Sequence, residues 1–289
     1  MAAISASEVK DLREKTGVGM MEAKKALEET GGDAEKAIDL LRTKGLSAAA
    51  KKATRVAAEG MIASFIEGNV GVLVEVNSET DFVAKNEEFQ KFARGLARLV
   101  AEKAPADVAA LMLLTLDGET VEAKRNALVQ KIGENISVRR FERFQTSDNL
   151  AIYLHGSKIG GMVEYTGADE QLGKDIAMHI AAANPLFLSR DTVAPDAVAR
   201  ERAICEAQAK ESGKPANIIG KIVDGKMEKY YGDTCLLEQI FIKDPDGKQK
   251  IKNIMKAAAV KRFLRFQLGE GIEKKKENFA DEVAAQLKN

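Results

Sequence analysis

Apolar residues in the first 55 positions recur at helical spacing and predict three short helices. Ser5 followed by Glu8 has the spacing of a capping box. Glycines at positions 17, 19, 31 and 32 separate the segments, and Gly45 is expected just past the end of the third helix. An alanine- and lysine-rich stretch, residues 46–55, is predicted to be a helical linker. Residues 1–55 are therefore predicted to form a small head that binds a partner.

From residue 60 the apolar period changes from that of a helix to that of a strand. Segments 61–66 and 70–76 predict a β-hairpin, followed by a helix over residues 87–101. A similar order recurs from residue 151 to residue 183, and aligning the two copies places Glu75 opposite Glu164. We interpret this as an internal duplication. It predicts an α+β core in two halves, residues 56–146 and 147–272.

The remainder of the second half has a different pattern. Residues 196–212 and 216–231 are predicted to be helices of a hairpin inserted at about 186–232. Strand-like segments are predicted at 234–242 and 263–268, with a helix at 250–260 between them. Residues 273–289 are predicted to be a C-terminal helical module. The predicted fold class is thus α+β, with an N-terminal three-helix, ubiquitin-associated-like bundle, a two-part core with antiparallel sheets, the helical hairpin and a C-terminal helix.

Composition narrows the possible functions. Lys and Arg number 44 and Asp and Glu also number 44, so the net charge gives no general attraction to nucleic acid or to an acidic membrane. The chain has two cysteines, has no apolar run of about 18 residues, and lacks the apolar core of a signal peptide at its N-terminus. We therefore expect a reducing compartment, no membrane association and a cytoplasmic location.

The sequence carries no recognisable catalytic or cofactor motif. Its two histidines, His155 and His179, do not have a metal-ligand spacing, and His179 lies on an apolar segment typical of a structural histidine. There is no phosphate-binding lysine loop and no G-x-S-x-G turn. The glycines at 17 and 19 lack the third glycine and the preceding strand of a dinucleotide site. The chain is predicted to be no enzyme and to bind no metal or cofactor.

Two short segments are candidates for protein contact. Residues 77–81 are polar and are followed by Phe82, which either packs beneath the loop or is presented as an exposed anchor for a partner's pocket. Met20 and Met21 are adjacent at a helix start and cannot both face a three-helix core, so we expect one to be exposed as an adaptable contact. The alternative is that the other packs in the core and the exposure of the first has no role. The sequence leaves both interpretations of Phe82 open.

Two alternative functions come from other classes of protein. Basic residues outnumber acidic ones in residues 243–276, with Phe263 and Phe266 among them, which suggests an RNA-associated factor or simply a solvated face. The helix–Gly-Gly–helix pattern of the head also fits a module that binds ubiquitin-like or other small proteins. An RNA-associated factor would be retained on RNA, and its retention would fall steeply with salt. A module that binds small proteins would keep its main activity in residues 1–55 alone.

Several segments, in order along nearly the whole chain, resemble bacterial translation elongation factor Ts. The segments are residues 16–27 (TGVGMMEAKKAL), 75–85 (EVNSETDFVAK), 131–136 (KIGENI), 155–156 (HG), 176–182 (IAMHIAA), 212–215 (SGKP) and 269–273 (GEGIE). Ser78 stands where some members of that family have cysteine.

The resemblance implies a guanine-nucleotide exchange factor for elongation factor Tu, with no catalytic residues of its own. It implies that Met20 and Met21 dock on the partner's nucleotide-binding domain. The segment Thr80, Asp81, Phe82 and Val83 is implied to enter near the partner's magnesium, with Phe82 as the wedge. GDP and magnesium would be displaced from the partner and not bound by this chain.

The resemblance also implies further contacts. Ile132 and Gly133 would press toward the partner's phosphate loop, and His155 would meet another partner domain. The C-terminal helix would return to the nucleotide-binding domain. The inserted hairpin resembles a dimerisation or accessory element.

Overall fold

The computed structural model describes residues 4–16, 18, 20–211, 215–256 and 258–273. Within these ranges the chain forms two compact units, one of residues 4–63, 74–142 and 267–273, the other of residues 64–73 and 143–266. The glycines at 17 and 19, residues 212–214 and the predicted C-terminal module from residue 274 onward lie outside the described residues. No helix in the described part of the chain is both long and apolar enough to cross a membrane. The four domain bounds drawn from the sequence stay predictions.

The first unit begins with the three helices of the head: α1 (Ala6–Thr16), α2 (Met20–Glu29) and α3 (Ala34–Lys52). The capping box is present, because the Ser5 N–H donates to Glu8 Oε2 at 2.7 Å and the Glu8 N–H donates to Ser5 Oγ at 3.2 Å. The expected end of the third helix at Gly45 is wrong, since α3 continues to Lys52. A single glycine costs a helix about 1 kcal/mol, and the good helix formers that follow Gly45 offset that cost.

The first core half contains more elements than the sequence predicted. In chain order they are β1 (Glu59–Glu67), β2 (Val70–Ser78), α4 (Asp81–Ala84), α5 (Glu87–Lys103), α6 (Val108–Leu113), β3 (Thr115–Leu116), β4 (Glu119–Thr120), α7 (Val121–Ile132) and β5 (Ser137–Gln145). The strand order of the larger sheet is β1-β2-β5. The predicted hairpin and the helix from Glu87 are confirmed. Strand β5 escaped prediction because Arg139 and Arg140 interrupt its apolar alternation.

The second core half repeats the arrangement of hairpin and helix. Its elements are β6 (Asn149–His155), β7 (Ile159–Thr166), α8 (Glu170–Ala183), α9 (Pro195–Glu211), α10 (Ala216–Thr234), α11 (Ile251–Met255) and β8 (Ala259–Gln267), with sheet order β6-β7-β8. Strands β6 and β7 are antiparallel, with Tyr153 opposite Gly161. Helix α8 packs directly on β7 at Gly161, where an added Cβ would lie 2.4 Å from the Ala177 carbonyl oxygen. The predicted α+β class with antiparallel sheets and helices is confirmed.

The region after α10 differs from its prediction. The strand expected at 234–242 is wrong, because α10 runs to Thr234, a 3-10 turn covers Leu236–Glu238, and only isolated bridges follow. The helix expected at 250–260 is shorter, Ile251–Met255. The backbone of this segment pairs with residues far away in the sequence, since the Leu236 N–H donates to the Phe187 carbonyl at 2.8 Å. Within the segment, the carboxylate of buried Glu238 accepts from Lys250 Nζ and Lys252 Nζ, each at 2.9 Å.

The pairing of Glu75 with Glu164, inferred from the duplication, has a structural counterpart. Glu75 is buried in β2 and binds Arg139 Nη1 at 2.9 Å and Arg140 Nε at 2.6 Å. Glu164 is buried in β7 and binds Arg262 Nε at 2.6 Å. Each half of the core therefore holds a buried carboxylate neutralised by arginine at the corresponding strand position.

The Glu238 cluster makes stability of the second unit sensitive to acid. Burial alone would raise the pKa of Glu238, but Arg190, Lys250 and Lys252 outweigh it and lower the pKa from 4.5 to about 2. A lowered folded-state pKa stabilises the fold fully above pH 4.5. We expect about 3 kcal/mol to be lost as the pH falls toward 2. Urea unfolding of wild type and Glu238→Gln between pH 7 and pH 3 should show a shallower pH dependence for the variant. If the free energy of unfolding fell equally with pH in the wild type and in Glu238→Gln, ionisation of Glu238 would not be the source of the acid sensitivity.

Candidate partner-binding site

Phe82 is the most exposed large apolar side chain among the described residues, with 76% of its surface accessible. It lies in α4, a single helical turn that begins at Asp81. The next two residues, Val83 and Ala84, are buried and fix the turn to the core. Of the two interpretations left open by the sequence, the one that packs Phe82 in the interior is therefore wrong.

Thr80 is held by a residue far along the chain. Its N–H donates to Glu134 Oε2 at 2.9 Å, and its Oγ1 donates to Glu134 Oε1 at 2.6 Å. The Thr80 side chain therefore makes no capping hydrogen bond to α4, although Thr80 is the N-cap residue. Ser78 Oγ donates to the Thr80 carbonyl at 2.9 Å and closes the end of β2.

A third hydrogen bond joins the segment before Phe82 to the residues after α7. Glu79 Oε1 accepts from the Asn135 N–H at 2.6 Å. Helix α7 ends at Ile132, and its C-cap Gly133 has a φ of 86°, the left-handed conformation that glycine adopts without strain. Gly133 is exposed and Ile132 is half-buried. The structure thus links the Thr80–Phe82 segment to the Ile132–Gly133 segment, both of them predicted contact segments.

Two predictions about site residues need correction. Val83 is 5% exposed, so its side chain anchors α4 and is not available to a partner. Met20 and Met21 are 48% and 64% exposed, so the alternative in which one of them packs in the head core is wrong. The core face of α2 is filled by other residues, namely Ala23, Ala26 and Leu27.

The two histidines have different surroundings. His155 is exposed at the end of β6, with Nδ1 3.4 Å from Tyr153 Oη. His179 is buried; its Nδ1 accepts from the Ile242 N–H at 3.2 Å, and its Nε2 lies 3.0 Å from Gln239 Oε1. Acceptance at Nδ1 places the proton on Nε2, which donates to Gln239. Burial lowers the pKa of His179 more than Gln239 raises it, which fits a neutral structural histidine.

Many of the basic side chains in the C-terminal third have partners within the chain. Arg265 Nε donates to the Ala181 carbonyl at 3.0 Å, and Lys243 Nζ binds Asp175 at 2.6 Å. Lys250, Lys252 and Arg262 are the cations already described on Glu238 and Glu164. These contacts favour the solvated, internally neutralised face over an RNA-binding surface.

The arrangement around Phe82 supports contact with another protein. Across the described ranges, no group of three or more His, Cys, Asp or Glu residues has the geometry of a metal site. Lys85 Nζ lies 5.6 Å from the centre of the Phe82 ring, and Asp81 is exposed beside it. An exposed aromatic with flanking charges on a rigid support has the composition of a binding hot spot. The fold and this site define the class of α+β factors that act by docking on a partner protein.

Comparison with known proteins gives the family. A family model described as Elongation factor TS matches residues 79–270. The chain is 58% identical to Elongation factor Ts of Burkholderia multivorans and 57% identical to Elongation factor Ts of Paraburkholderia phymatum, each over 99% of this chain and 98% of the relative. The chain belongs to the elongation factor Ts family.

Sequence reasoning found the exposed aromatic but missed Glu134 and Glu79 as the residues that hold it. Glu134 is 54 positions from Thr80 along the chain. The available signal was the position of Glu134 in the KIGENI segment, directly after two of the predicted contact residues.

Proposed function

We propose that this chain promotes GDP release from elongation factor Tu by inserting Phe82 beside the partner's nucleotide and magnesium site. As a member of its family it is a guanine-nucleotide exchange factor in translation elongation. The observation that carries the proposal is the 76% exposure of Phe82 on a helical turn fixed by hydrogen bonds on its N-terminal side.

The energy available from one such anchor is sufficient. An aromatic side chain that fills a partner's pocket contributes roughly 2–4 kcal/mol. If the contact forms only with nucleotide-free partner, that energy corresponds to a loss of about 30- to 1,000-fold in GDP affinity. The factor's preference for the empty partner and the loss of GDP affinity must be equal by linkage. A factor that binds the empty partner more tightly than the GDP-bound partner weakens GDP binding by the same ratio.

The other exposed residues supply docking contacts in this proposal. Met20 and Met21 bind the nucleotide-binding domain of elongation factor Tu, and Asp81 acts with Phe82. Gly133 and the accessible part of Ile132 approach the phosphate loop. His155, in the second unit, meets another partner domain. These contacts would act by binding alone, so the chain would need no catalytic residues and no cofactor. We also propose that it acts in the cytoplasm.

The proposal is tested by adding the protein to elongation factor Tu loaded with fluorescent GDP and following release. We expect release to accelerate with factor concentration and to saturate. An unchanged release rate at all concentrations would overturn the proposal. Binding to RNA that falls steeply with salt, without acceleration of release, would favour the RNA-associated alternative.

The inserted hairpin is proposed to be a dimerisation or accessory element and not part of the exchange machinery. Helices α9 and α10 bury a small cluster of their own, containing Cys205, Ala209, Val223 and Met227. Arg202 and Asp224 face each other across the hairpin at 3.0 Å. Removing residues 203–223 and joining Arg202 to Asp224 through a Gly-Ser bridge therefore closes the shortened hairpin between two residues whose side chains already meet.

We expect the shortened protein to accelerate GDP release from elongation factor Tu as much as the wild type does, and to self-associate less. Stopped-flow release and sedimentation velocity on the same preparation measure the two properties. Retaining Glu228 preserves its ion pair with Arg190, 2.5 Å long. Loss of release by a variant with a native circular dichroism spectrum would place the hairpin within the exchange machinery.

A further inference from the structure

We infer that Glu134 is a positioning residue for exchange, which holds Phe82 in the orientation that enters the partner. This inference rests on the proposed function of Phe82 and adds a residue to it. Glu134 follows the predicted contact residues Ile132 and Gly133 and is itself only half-buried. Its role is to fix the residue from which α4 starts.

The geometry of the Glu134 carboxylate is specific for Thr80. One oxygen accepts the Thr80 backbone N–H and the other accepts the Thr80 hydroxyl, at 2.9 Å and 2.6 Å. Two hydrogen bonds to a carboxylate are stronger than neutral ones and fix both the position and the rotation of the residue they hold. Thr80 is two residues before Phe82, so this fixation sets the direction in which α4 begins.

A reciprocal set of contacts completes the attachment. Glu79 accepts from the Asn135 N–H, and Asn135 Nδ2 donates to the Arg55 carbonyl at 2.8 Å. Arg55 Nη1 in turn lies 3.6 Å from Glu79 Oε1. The chain entering α4, the chain leaving α7 and the residues after α3 are therefore joined in one polar cluster.

A support of this kind is needed because α4 is only four residues long. A single turn has too few internal hydrogen bonds to hold a helix in isolation. An exposed aromatic on a mobile turn would have to be ordered at the moment of binding, which reduces its useful binding energy. Glu134 orders the turn before binding. Loss of Glu134 should therefore slow exchange only when the Phe82 side chain is present.

The test is a double-mutant cycle between Glu134→Ala and Phe82→Ala, measured as the saturating rate of fluorescent GDP release from elongation factor Tu. We expect Glu134→Ala to lower that rate about tenfold in the wild-type background and not at all in the Phe82→Ala background. Glu134→Gln should recover most of the rate, since its amide can accept from the Thr80 N–H and donate to the Thr80 hydroxyl. Glu102→Ala, on the exposed face of α5, is the matched control. With this variant, GDP release from elongation factor Tu should proceed at the wild-type rate.

Thr80→Val keeps the shape of Thr80 and removes the hydroxyl donor, so it tests the same contact if Glu134→Ala folds poorly. We expect it to slow release by about threefold. If folded Glu134→Ala or Thr80→Val gave the wild-type rate of GDP release from elongation factor Tu, the inference would be overturned. An equal slowing by Glu134→Ala with and without Phe82 would also overturn it. Wild-type release by Phe82→Ala would overturn the proposed function itself, so the two failures are distinguishable.

Discussion

Replacement of Phe82 by alanine is expected to slow GDP release from elongation factor Tu by about tenfold or more, because the anchor energy of the aromatic ring is lost. The free energy of unfolding should change by less than about 0.5 kcal/mol, as is usual for an exposed site. The two effects should separate because Phe82 has most of its surface in solvent in the free protein and, in the proposed complex, is buried by the partner. Thermal melting and GDP release on one preparation check both.

Leu113→Ala is the matched control for the loss of an exposed apolar side chain. Leu113 is 73% exposed on α6 and is in none of the predicted contact segments. We expect both release and melting temperature to remain those of the wild type. If Phe82→Ala lowered the melting temperature by many degrees and left release intact, Phe82 would be structural and the wedge would be rejected.

Replacement of Glu75 by alanine is expected to destabilise the protein by about 3–5 kcal/mol, the usual cost of removing one partner from a buried ion pair. Glu75 is 0% exposed and accepts hydrogen bonds from Arg139, Arg140 and the Gly269 N–H at 2.8 Å. Burial alone would raise the pKa of Glu75, but the Gly269 N–H and the two arginines lower it, so the residue is ionised at neutral pH. Removing the carboxylate takes from Arg139 and Arg140 the buried anion to which both donate, and Arg140 keeps its longer contact with Glu270 at 3.4 Å.

Urea unfolding at pH 7 measures this effect. Glu142→Ala is the control, because Glu142 lies in the same strand as the two arginines but is exposed. We expect the control to change stability by less than about 0.5 kcal/mol. Equal stability of Glu75→Ala and the control would show that the buried cluster contributes little.

Elements with a strong local signal could be predicted from the sequence. The capping residues Ser5 and Glu8 and the alternating apolar residues of the hairpins act over a few positions, so a local pattern contains them. Strand β5 could not be found in this way, because Arg139 and Arg140 face a buried carboxylate that is distant in sequence. The irregular segment after Thr234 was also missed, since its backbone N–H groups pair with carbonyls that are distant in sequence, such as that of Phe187 for Leu236.

The candidate site shows the same division. The polar run before Phe82 marked the loop, and the resemblance to elongation factor Ts selected the exposed interpretation that the accessible surface of Phe82 supports. The contact between Thr80 and Glu134 depends on how β2 and α7 pack, which no spacing in the sequence specifies. Both methionines of α2 are exposed because Ala23, Ala26 and Leu27 supply the buried face of that helix, a packing outcome that the adjacency of the methionines did not decide.

We propose that the Phe82 side chain makes this protein bind nucleotide-free elongation factor Tu more tightly than the GDP-bound form. The direct measurement is the affinity of wild type and Phe82→Ala for each of these two partner states, by isothermal titration calorimetry. The account predicts that the substitution weakens binding to the nucleotide-free partner by about 30-fold or more and leaves binding to the GDP-bound partner nearly unchanged. Equal weakening toward both states would contradict it, because an interaction made equally in both states cannot displace GDP.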